Sequence, residues 1–302
     1  MSQKALTILS HVVHGYVGNR AMVFPLQFLG WNVDAVNTTN FSNHPGYGKF
    51  KGAISSSQLI KDVLEGLKDI IDFNIEYDVI VTGYSPDEKV LEEIFDQLSS
   101  IYKKLYHKHP VWVVDPVLGD NDKLYVPAAM IPIYQKIFAS GFVSLTTPNQ
   151  FEFELLSGVK IENWETLKES ILRFESLYHI PYIAISSIAI EGNLYSVGFA
   201  AKTKQIFYFP IDEIKCRFNG CGDIFTALLS HSFFVNGSCL TAEVLGDVTI
   251  KLGKILRQSY HFEQEKTLSK VITSVKDILV VHLRDCLLQN NTKDIINKVS
   301  FI

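Results

Sequence analysis

Short apolar runs alternate along this chain with longer stretches in which apolar residues recur every three or four positions. Short runs that contain β-branched residues are typical of buried strands, and the wider spacing is typical of helices with one buried face. The alternation predicts an α/β fold with a mostly parallel central sheet. Strands are predicted at residues 5–9, 33–36, 78–82, 111–114, 142–145 and 182–185, and helices at residues 21–29, 59–71, 91–105 and 153–156.

The C-terminal third has a different pattern. Two apolar segments, 194–200 and 205–210, flank a polar turn, which predicts a hairpin at an antiparallel edge of the sheet. Helices are predicted at about 222–234 and 241–261, and the residues that follow are predicted to be mostly helical. Upstream, residues 85–88 (Ser-Pro-Asp-Glu) have the pattern of a capping box at the start of a helix. The polar, glycine-rich residues 40–52 predict a binding loop.

A glycine-rich turn precedes the helix predicted near residue 222. It consists of Asn219-Gly220-Cys221-Gly222-Asp223, and an apolar run follows at once. Glycines let the backbone approach a ligand closely, and the free N–H groups of a first helical turn attract anions such as phosphate. Asp223 at the edge of such a site would suit the removal of a proton from an attacking hydroxyl group. An ordinary turn before a helix is the alternative.

Polar residues follow one predicted strand after another. In open α/β sheets, ligands bind beyond the carboxyl ends of the parallel strands. The sequence therefore predicts a ligand site along one edge of the sheet, with Asp223 beside it. The residues at the strand ends are Ser10, Tyr84, Asp115, Thr147 and Ser186.

Three acidic residues are candidate ligands for a hard cation. Asp115 and Asp120 lie on the loop after a predicted strand, and Glu152 lies in the first turn of the helix after Asn149. Mg²⁺ binds one or two protein carboxylates together with substrate phosphates and water. The alternatives are turn residues for the two aspartates and an acid that complements the helix dipole for Glu152.

Cys221 and two histidines suggest further chemistry. A thiol at a helix N-terminus has a lowered pKa, so Cys221 is either a reactive thiol or a small residue that fits the turn. His11 and His14 have no other His or Cys at zinc-ligand spacing, which favours histidines that hydrogen-bond the backbone. The first strand is not followed by a G-x-G-x-x-G motif, which argues against a nicotinamide dehydrogenase.

Composition restricts the class of protein and its partners. The 302 residues are 47% hydrophobic and 20% charged, as expected of a globular protein, and a net charge of −4 does not favour binding to nucleic acid or to a membrane. The four cysteines form no C-x-x-C pair, so free thiols are expected. We find no secretory signal and no apolar run of membrane-spanning length, so a cytoplasmic location is expected, with the nucleus as an alternative.

Seven motifs occur along the chain in a fixed order: Ser10-His-Val-Val-His-Gly-Tyr-Val-Gly-Asn-Arg20, Phe24-Pro-Leu-Gln-Phe-Leu-Gly30, Phe41-Ser-Asn-His44 with Gly46-Tyr-Gly48, Val81-Thr-Gly-Tyr84, Asp115-Pro-Val-Leu-Gly-Asp120, Thr147-Pro-Asn-Gln-Phe-Glu152 with Leu155-Leu-Ser-Gly158, and Gly220-Cys-Gly-Asp223. Together they resemble the pyridoxal kinases of the ribokinase-like superfamily, from about residue 6 to about residue 260. The resemblance implies one three-layer α/β/α domain over residues 1–302. It also implies a homodimer that uses MgATP to phosphorylate the 5′-hydroxymethyl group of pyridoxal, pyridoxine or pyridoxamine.

The resemblance also assigns roles to individual residues. Asp223 would be the base on the acceptor hydroxyl, and the amides of Gly220, Cys221 and Gly222 would stabilise the transferred phosphoryl group. Asp115 and Glu152 would hold Mg²⁺, directly or through water, and a monovalent cation such as K⁺ is a further candidate. Ser10, Val17, Phe41, Pro45 and Tyr84 would lie at the pyridine ring, and Asp115, Asp120, Tyr125, Thr147, Asn149, Glu152, Ser186, Ser187, Gly220 and Gly222 would lie around ATP.

The chain departs from the family pattern at several positions around the site. Pro45 replaces a threonine whose hydroxyl contacts the pyridine substrate, and Asn219 replaces an apolar residue. Cys221 replaces a threonine, and Asp122 replaces a glycine of the flap over ATP. Two other functions therefore stay open: a related kinase for another heterocycle such as hydroxymethylpyrimidine, and a paralogue that binds a B6 vitamer or a nucleotide without turnover.

Overall fold

The computed structural model describes residues 3–104, 109–268, 271–289, 291–295 and 298–302. Short apolar segments at the centre of the sheet, such as Val79–Thr82 and Val111–Val114, form strands whose side chains are buried on both faces. The strands are β1 (Lys4–His14), β2 (Asn32–Asn43), β3 (Gly52–Ile54), β4 (Val79–Thr82), β5 (Val111–Val114), β6 (Gly119–Asp120), β7 (Lys123–Leu124), β8 (Leu145–Thr146), β9 (Tyr182–Ile190), β10 (Asn193–Ala200), β11 (Gln205–Ile211), β12 (Arg217–Phe218), β13 (Ser274–Val275) and β14 (Ser300–Phe301).

The helices connect most of these strands. Several begin at a side chain that accepts a hydrogen bond from the first turn, such as Ser56, Asp87, Asn149, Asn163 and Thr241. The helices are α1 (Asn19–Phe28), α2 (Ser57–Ile70), α3 (Phe73–Glu76), α4 (Glu88–Tyr102), α5 (Met130–Phe138), α6 (Gln150–Ser157), α7 (Trp164–Tyr178), α8 (Cys221–Val235), α9 (Ala242–Thr267) and α10 (Thr292–Ile295), and 3₁₀ turns lie at Pro45–Tyr47 and Arg284–Leu288.

Ten of the described strands form one sheet, in the order β14-β11-β10-β9-β8-β5-β4-β1-β2-β3. Its centre, from β2 to β9, is parallel. Both ends of the sheet are antiparallel. At one end β3 pairs with β2, and at the other end β10 pairs with β9 and β11, and β14 pairs with β11. The carboxyl ends of the parallel strands therefore meet at one edge, where the chain places its polar residues.

The sheet separates two apolar cores. Alternate residues of β1 point to opposite faces, so Leu6 and Ile8 join one core and Ala5 and Leu9 join the other. Helices α2, α4, α5, α6 and α7 cover the first core, and α1, α8 and α9 cover the second. The molecule is thus a three-layer α/β/α structure, as predicted. In the described part of the chain, no helix is both long enough and apolar enough to cross a bilayer.

The structure corrects several predicted boundaries. β1 and β2 were expected to end near residues 10 and 36, but they remain paired as far as His14 and Asn43. Pairing of β1 with β4 ends at Ile8, so beyond this point the two strands project from the sheet, and most of their polar side chains are partly or fully exposed. Their polar composition therefore predicted a loop. Ser186 lies inside β9 rather than after it for the same reason.

Other predictions failed at the helices. Asp87, not Ser85, caps α4, and the predicted apolar face of that helix included Leu105, which lies outside the described residues. Helices α5 and α7 were not predicted. The residues after α9 were expected to be mostly helical, but the described ones form short strands and turns that pack against the second core. The hairpin of β10 and β11 and the start of α8 are confirmed.

Candidate active site

The turn before α8 is built for close approach of its backbone to a neighbour. Gly220 has φ +88°, a left-handed conformation that disfavours other residues. A side chain here would also begin 2.0 Å from the carbonyl oxygen of Tyr16, so the position accepts only glycine. Helix α8 begins directly after it, at Cys221. The first amides of α8 are therefore available to an anion at the sheet edge.

Asp223 lies in the first turn of α8 and joins two segments. Its Oδ2 accepts a hydrogen bond of 2.8 Å from the backbone N–H of Gly18, in the loop after β1. Desolvation raises the pKa of Asp223 to about 6, although the bond from Gly18 acts in the opposite direction. The side chain is thus ionised at neutral pH, and it is more basic than an ordinary aspartate.

Asp115 follows β5 directly and is buried. Its Oδ2 lies 3.5 Å from the hydroxyl of Thr226, one helical turn beyond Asp223, and that hydroxyl lies 2.8 Å from the hydroxyl of Thr147 after β8. A side chain at Gly222 would begin 3.9 Å from the same carboxylate oxygen. The ends of β5 and β8 and the start of α8 therefore meet at Asp115.

Glu152 is buried, and its carboxylate accepts hydrogen bonds mainly from backbone N–H groups. Its Oε1 accepts from the amides of Leu118 at 3.0 Å and Gly119 at 3.4 Å, and its Oε2 accepts from the amide of Asn149 at 2.9 Å. Asn149 in turn caps Glu152 and donates to the carbonyl of Gly119 at 2.7 Å. Glu152 is therefore part of the capping box of α6, whereas the structural alternative raised by the sequence was an acid that complements the helix dipole.

The carboxylates of Asp115, Glu152 and Asp223 form one negative cluster, in which the first two are buried and Asp223 is partly exposed. Burial and repulsion from Glu152 and Asp223 raise the pKa of Asp115 well above its usual value, and burial raises the pKa of Glu152 to about 7. Among the described residues, no lysine or arginine forms an ion pair with any of them. Within the same ranges, no group of three or more His, Cys, Asp or Glu side chains is arranged to hold a metal. This surplus of negative charge suits a cation whose remaining ligands come from a substrate.

The flap predicted near Asp120 is a two-stranded hairpin, β6–β7. Its turn residues, Asn121 and Asp122, have φ of 51° and 57°, as in a type I′ turn. Asp120 is exposed and accepts bonds from Asn121, and Tyr125 is exposed beyond the second strand. Asp122, which replaces the glycine usual in the family, pairs with Lys160 at 3.2 Å.

Ser186 and Ser187 lie at a bulge in β9. Pairing with β10 shifts between Tyr195 and Val197, so the two serines stand opposite the single residue Ser196. Ser196 donates to the carbonyl of Ser186 at 3.0 Å. The backbone N–H of Ser186 donates to the carbonyl of Pro148 at 3.0 Å, which ties the bulge to the loop after β8.

The residues assigned to the acceptor come from several segments: Ser10 from β1, Phe41 from β2, Val17 from the loop before α1 and Tyr84 from the loop after β4. Gly18 packs on Ser10, because a side chain at position 18 would begin 2.4 Å from the Ser10 hydroxyl, and Val17 contacts Gly220. Phe41 packs on Phe50 with ring centroids 4.9 Å apart. Tyr84 is partly buried against the first core. Ser10 and Val17 therefore adjoin Gly18, whose backbone N–H reaches Asp223.

Pro45 lies in the 3₁₀ turn 45–47 and is exposed. A C-terminal segment holds this turn in place. The Tyr47 hydroxyl donates to Asp277, and Nε2 of buried His44 lies 3.0 Å from the carbonyl oxygen of Lys276. The Lys276 ammonium also lies 4.8 Å from the centroid of the Tyr47 ring. We call these contacts of residues 44–47 with residues 276–277 the C-terminal clamp.

Comparison with known proteins decides the family. No protein-family model matches the chain. A Saccharomyces cerevisiae protein named "Putative pyridoxal kinase BUD17" is 34% identical over 301 residues, which cover 96% of this chain and 94% of that protein. Human pyridoxal kinase is 36% identical over 247 residues, which cover 75% of this chain and 76% of the human protein. The chain belongs to the pyridoxal kinase family.

Solved structures of pyridoxal kinases share its fold. The pyridoxal kinase from Leishmania donovani in complex with ADP and pyridoxine is 27% identical, with a TM-score of 0.84 over 99% of this chain and 98% of that one. The resemblance stated from the sequence motifs is thus confirmed. So is the ribokinase-like α/β/α fold that it implied.

The structure separates the two interpretations of Cys221 in this pyridoxal kinase family member. A reactive thiol requires a lowered pKa, but desolvation and the charge of Asp223 raise the pKa of the Cys221 thiol to about 12. The thiol therefore stays protonated at neutral pH. This favours the other interpretation, in which Cys221 is a small residue that fits the turn.

Several contributors to the site in this family member were not predicted. Gly18 donates to Asp223, and its signal was the pair of glycines directly after the first strand. Thr226 lies three positions after Asp223, on the same side of α8, and helical spacing could have identified it. Asp277 contacts Tyr47 across a separation of 230 residues, so no local pattern could have identified it.

Proposed function

We propose that this chain is an active kinase that transfers the terminal phosphoryl group of ATP to the 5′-hydroxymethyl group of pyridoxal, pyridoxine or pyridoxamine. Family membership and the likeness to a Leishmania donovani pyridoxal kinase solved with ADP and pyridoxine support the reaction class. One observation of the site carries the proposal. Asp223 stands at the N-terminus of α8, where a base and an anion site lie together.

Asp223 is the proposed general base. The acceptor hydroxyl attacks the terminal phosphorus of ATP, the bond from that phosphorus to the bridging oxygen breaks and releases ADP, and the hydroxyl proton passes to the Asp223 carboxylate. A pKa of about 6 suits this step, since the group is ionised at neutral pH and still binds the proton better than an ordinary aspartate does. The bond from the Gly18 amide to Oδ2 fixes the carboxylate and leaves Oδ1 for the acceptor.

The amides at the start of α8 are the proposed phosphoryl site. Amides of Gly220, Cys221 and Gly222 precede or open the helix, where N–H groups lack helical partners. Phosphoryl transfer depends mainly on positioning and on stabilisation of charge, and these fixed donors supply both. Only the backbone of Cys221 is required, which explains how cysteine can replace threonine.

We further propose that Asp115 and Glu152 hold Mg²⁺ as MgATP. When bound, the ion neutralises negative charge on the phosphates. Asp115 suits direct binding, because its described contact is one threonine hydroxyl. Glu152 suits contact through water, because three amides already occupy its oxygens. A requirement for K⁺ stays a prediction, and rates in K⁺ and Na⁺ buffers test it.

The nucleotide is proposed to lie along the ends of β5, β8 and β9. Thr147 and Asn149 border Asp115 and Glu152, and their own hydrogen bonds fix them in place. The backbone bond between Ser186 and Pro148 places the serine bulge beside them. The flap residues Asp120 and Tyr125 are exposed, which suits their proposed role as a cover over ATP. Ser187 is proposed to lie near the nucleotide.

Purified protein, MgATP and four acceptors test the function. We expect ATP-dependent phosphorylation of pyridoxal, pyridoxine and pyridoxamine, with less turnover of hydroxymethylpyrimidine. Turnover of hydroxymethylpyrimidine alone would support the related kinase with a different acceptor. Binding of pyridoxal without turnover of any acceptor would support the non-catalytic paralogue, although the retained cluster of Asp115, Glu152 and Asp223 argues against it.

We also propose that the protein is a cytoplasmic homodimer of one domain per chain. Apolar side chains are exposed at one end of the sheet, where Ile54 ends β3 and Leu59 and Val63 share a face of α2. A dimer through this face predicts that Leu59→Glu with Val63→Glu yields the 34.1 kDa monomer in sedimentation. The matched control is Leu172→Glu on α7, which should leave the dimer intact.

A further inference from the structure

Two positions at which the chain departs from its family meet in space. Asn219 lies directly before the phosphoryl site, and Pro45 lies in the turn held by the C-terminal clamp. A side chain at Gly46, the residue after Pro45, would begin 3.0 Å from Asn219 Oδ1 and 2.8 Å from His44 Nδ1. The carboxamide of Asn219 therefore bridges the phosphoryl site and the turn 45–47.

The carboxamide is free to bind a ligand. Asn219 is only partly exposed, and within the described residues no protein group forms a hydrogen bond with its side chain. The neighbouring ring of His44 is oriented by the carbonyl of Lys276, which can only accept, so Nε2 donates to it and Nδ1 faces Gly46. An unpaired amide and an imidazole nitrogen thus border the same space beside Gly46.

The proposed function puts the acceptor ring next to this space. A substrate whose hydroxymethyl group reaches Asp223 lies beside the start of α8, next to Asn219, and the Asn219 carboxamide in turn faces the turn that follows His44. Pro45 lacks a side-chain donor or acceptor. The carboxamide of the neighbouring Asn219 has both a donor and an acceptor.

We propose that Asn219 is a specificity-determining residue, whose carboxamide hydrogen-bonds a polar substituent of the acceptor ring and compensates for the hydroxyl missing at Pro45. This inference rests on the proposed function. It goes further because it assigns the choice of acceptor in this chain to the side chain of Asn219, directly before the phosphoryl site. One hydrogen bond of this kind corresponds to about a tenfold change in affinity.

The test is a cycle of variants assayed with varied pyridoxal and varied MgATP. Asn219→Val is expected to raise the KM for pyridoxal about tenfold, with little change in kcat or in the KM for MgATP. Adding Pro45→Thr to Asn219→Val should recover most of the loss, whereas Pro45→Thr alone should improve KM much less. Asn219→Ser, which keeps a smaller polar group, should give an intermediate KM.

Two results would overturn the inference. An unchanged KM for pyridoxal in Asn219→Val would show that the carboxamide does not contact the acceptor. A parallel loss for both substrates, or no recovery with Pro45→Thr, would show that the residue only shapes the phosphoryl loop. If the unaltered protein has no turnover, the proposed function fails instead, and pyridoxal binding measured by fluorescence titration still compares the variants.

Discussion

At the scale of single residues, the desolvation of Asp223 has opposite effects on catalysis and on the stability of the fold. Its desolvation makes it a better base, but the same desolvation costs stability whenever the group is ionised in the folded state. The folded pKa of about 6 exceeds the ordinary value of 3.8, so the folded state binds the proton more tightly than the unfolded state. The protonated side chain therefore stabilises the folded state below about pH 4, and this contribution is lost as the pH rises from about 4 to about 6.

Replacement of Asp223 by asparagine should remove this cost. The variant keeps an oxygen for the Gly18 amide, so without ligands it should be more stable than the unaltered protein by about 1 kcal/mol at pH 7.5, a value reduced for partial exposure. The gain should be smaller at pH 4.5. Thermal unfolding at the two pH values measures it, and an equal gain at both would contradict the assigned pKa.

The two proposed metal carboxylates should differ in their effect on stability. Glu152→Gln places an amide donor against at least one of three backbone N–H groups, so we expect a loss of about 1–3 kcal/mol in urea unfolding. Asp115→Asn relieves repulsion and strands no donor, so stability should be unchanged or higher. A larger loss for Asp115→Asn would contradict these roles.

At the scale of elements, the sequence predicts the middle of the fold better than its edges. Apolar runs predicted β4 and β5 well, because both faces of these strands are buried. The projecting ends of β1 and β2 are polar, since they border a site rather than a core, and so they were taken for loops. The short strands near the C-terminus depend on distant partners, such as β11 for β14, which no local pattern contains.

The C-terminal clamp is an element-scale contact with a functional consequence. Tyr47→Phe removes the hydrogen bond to Asp277 and should loosen the turn that carries Pro45. We expect a KM for pyridoxal several-fold higher, with the KM for MgATP unchanged, in steady-state assays. Tyr195→Phe, which alters a tyrosine packed on Trp164 and Tyr208, is the matched control. Equal effects of the two variants would exclude a role for the clamp.

The candidate site could be predicted from the sequence to a similar degree. The glycine turn and Asp223 were evident, because backbone geometry imposes glycine at position 220. What each acid does was not evident, since Glu152 serves as a helix cap and a loop holder through contacts that only the folded chain defines. The raised pKa of Cys221 likewise follows from burial that the sequence does not display.

At the scale of the whole molecule, ligand binding should be coupled to global unfolding. A ligand at 100 times its Kd stabilises the folded state by about 2.7 kcal/mol, which for a chain of this size corresponds to roughly 5 °C in Tm. We expect such a shift with saturating MgATP. The Asp115→Asn variant should lose most of the magnesium-dependent part of this shift in Tm. An undiminished shift in that variant would contradict the proposal that Asp115 binds the metal.

The most direct test of the central claim compares the unaltered protein with Asp223→Asn in one assay of pyridoxal phosphate formation at saturating MgATP and pyridoxal. Removal of a general base costs about 10²–10⁴-fold in rate, so we predict clear turnover by the unaltered protein and a loss of this size in the variant. MgATP should still bind the variant, as judged by its shift in Tm. No product from the unaltered protein, or an undiminished rate in Asp223→Asn, would contradict the assignment.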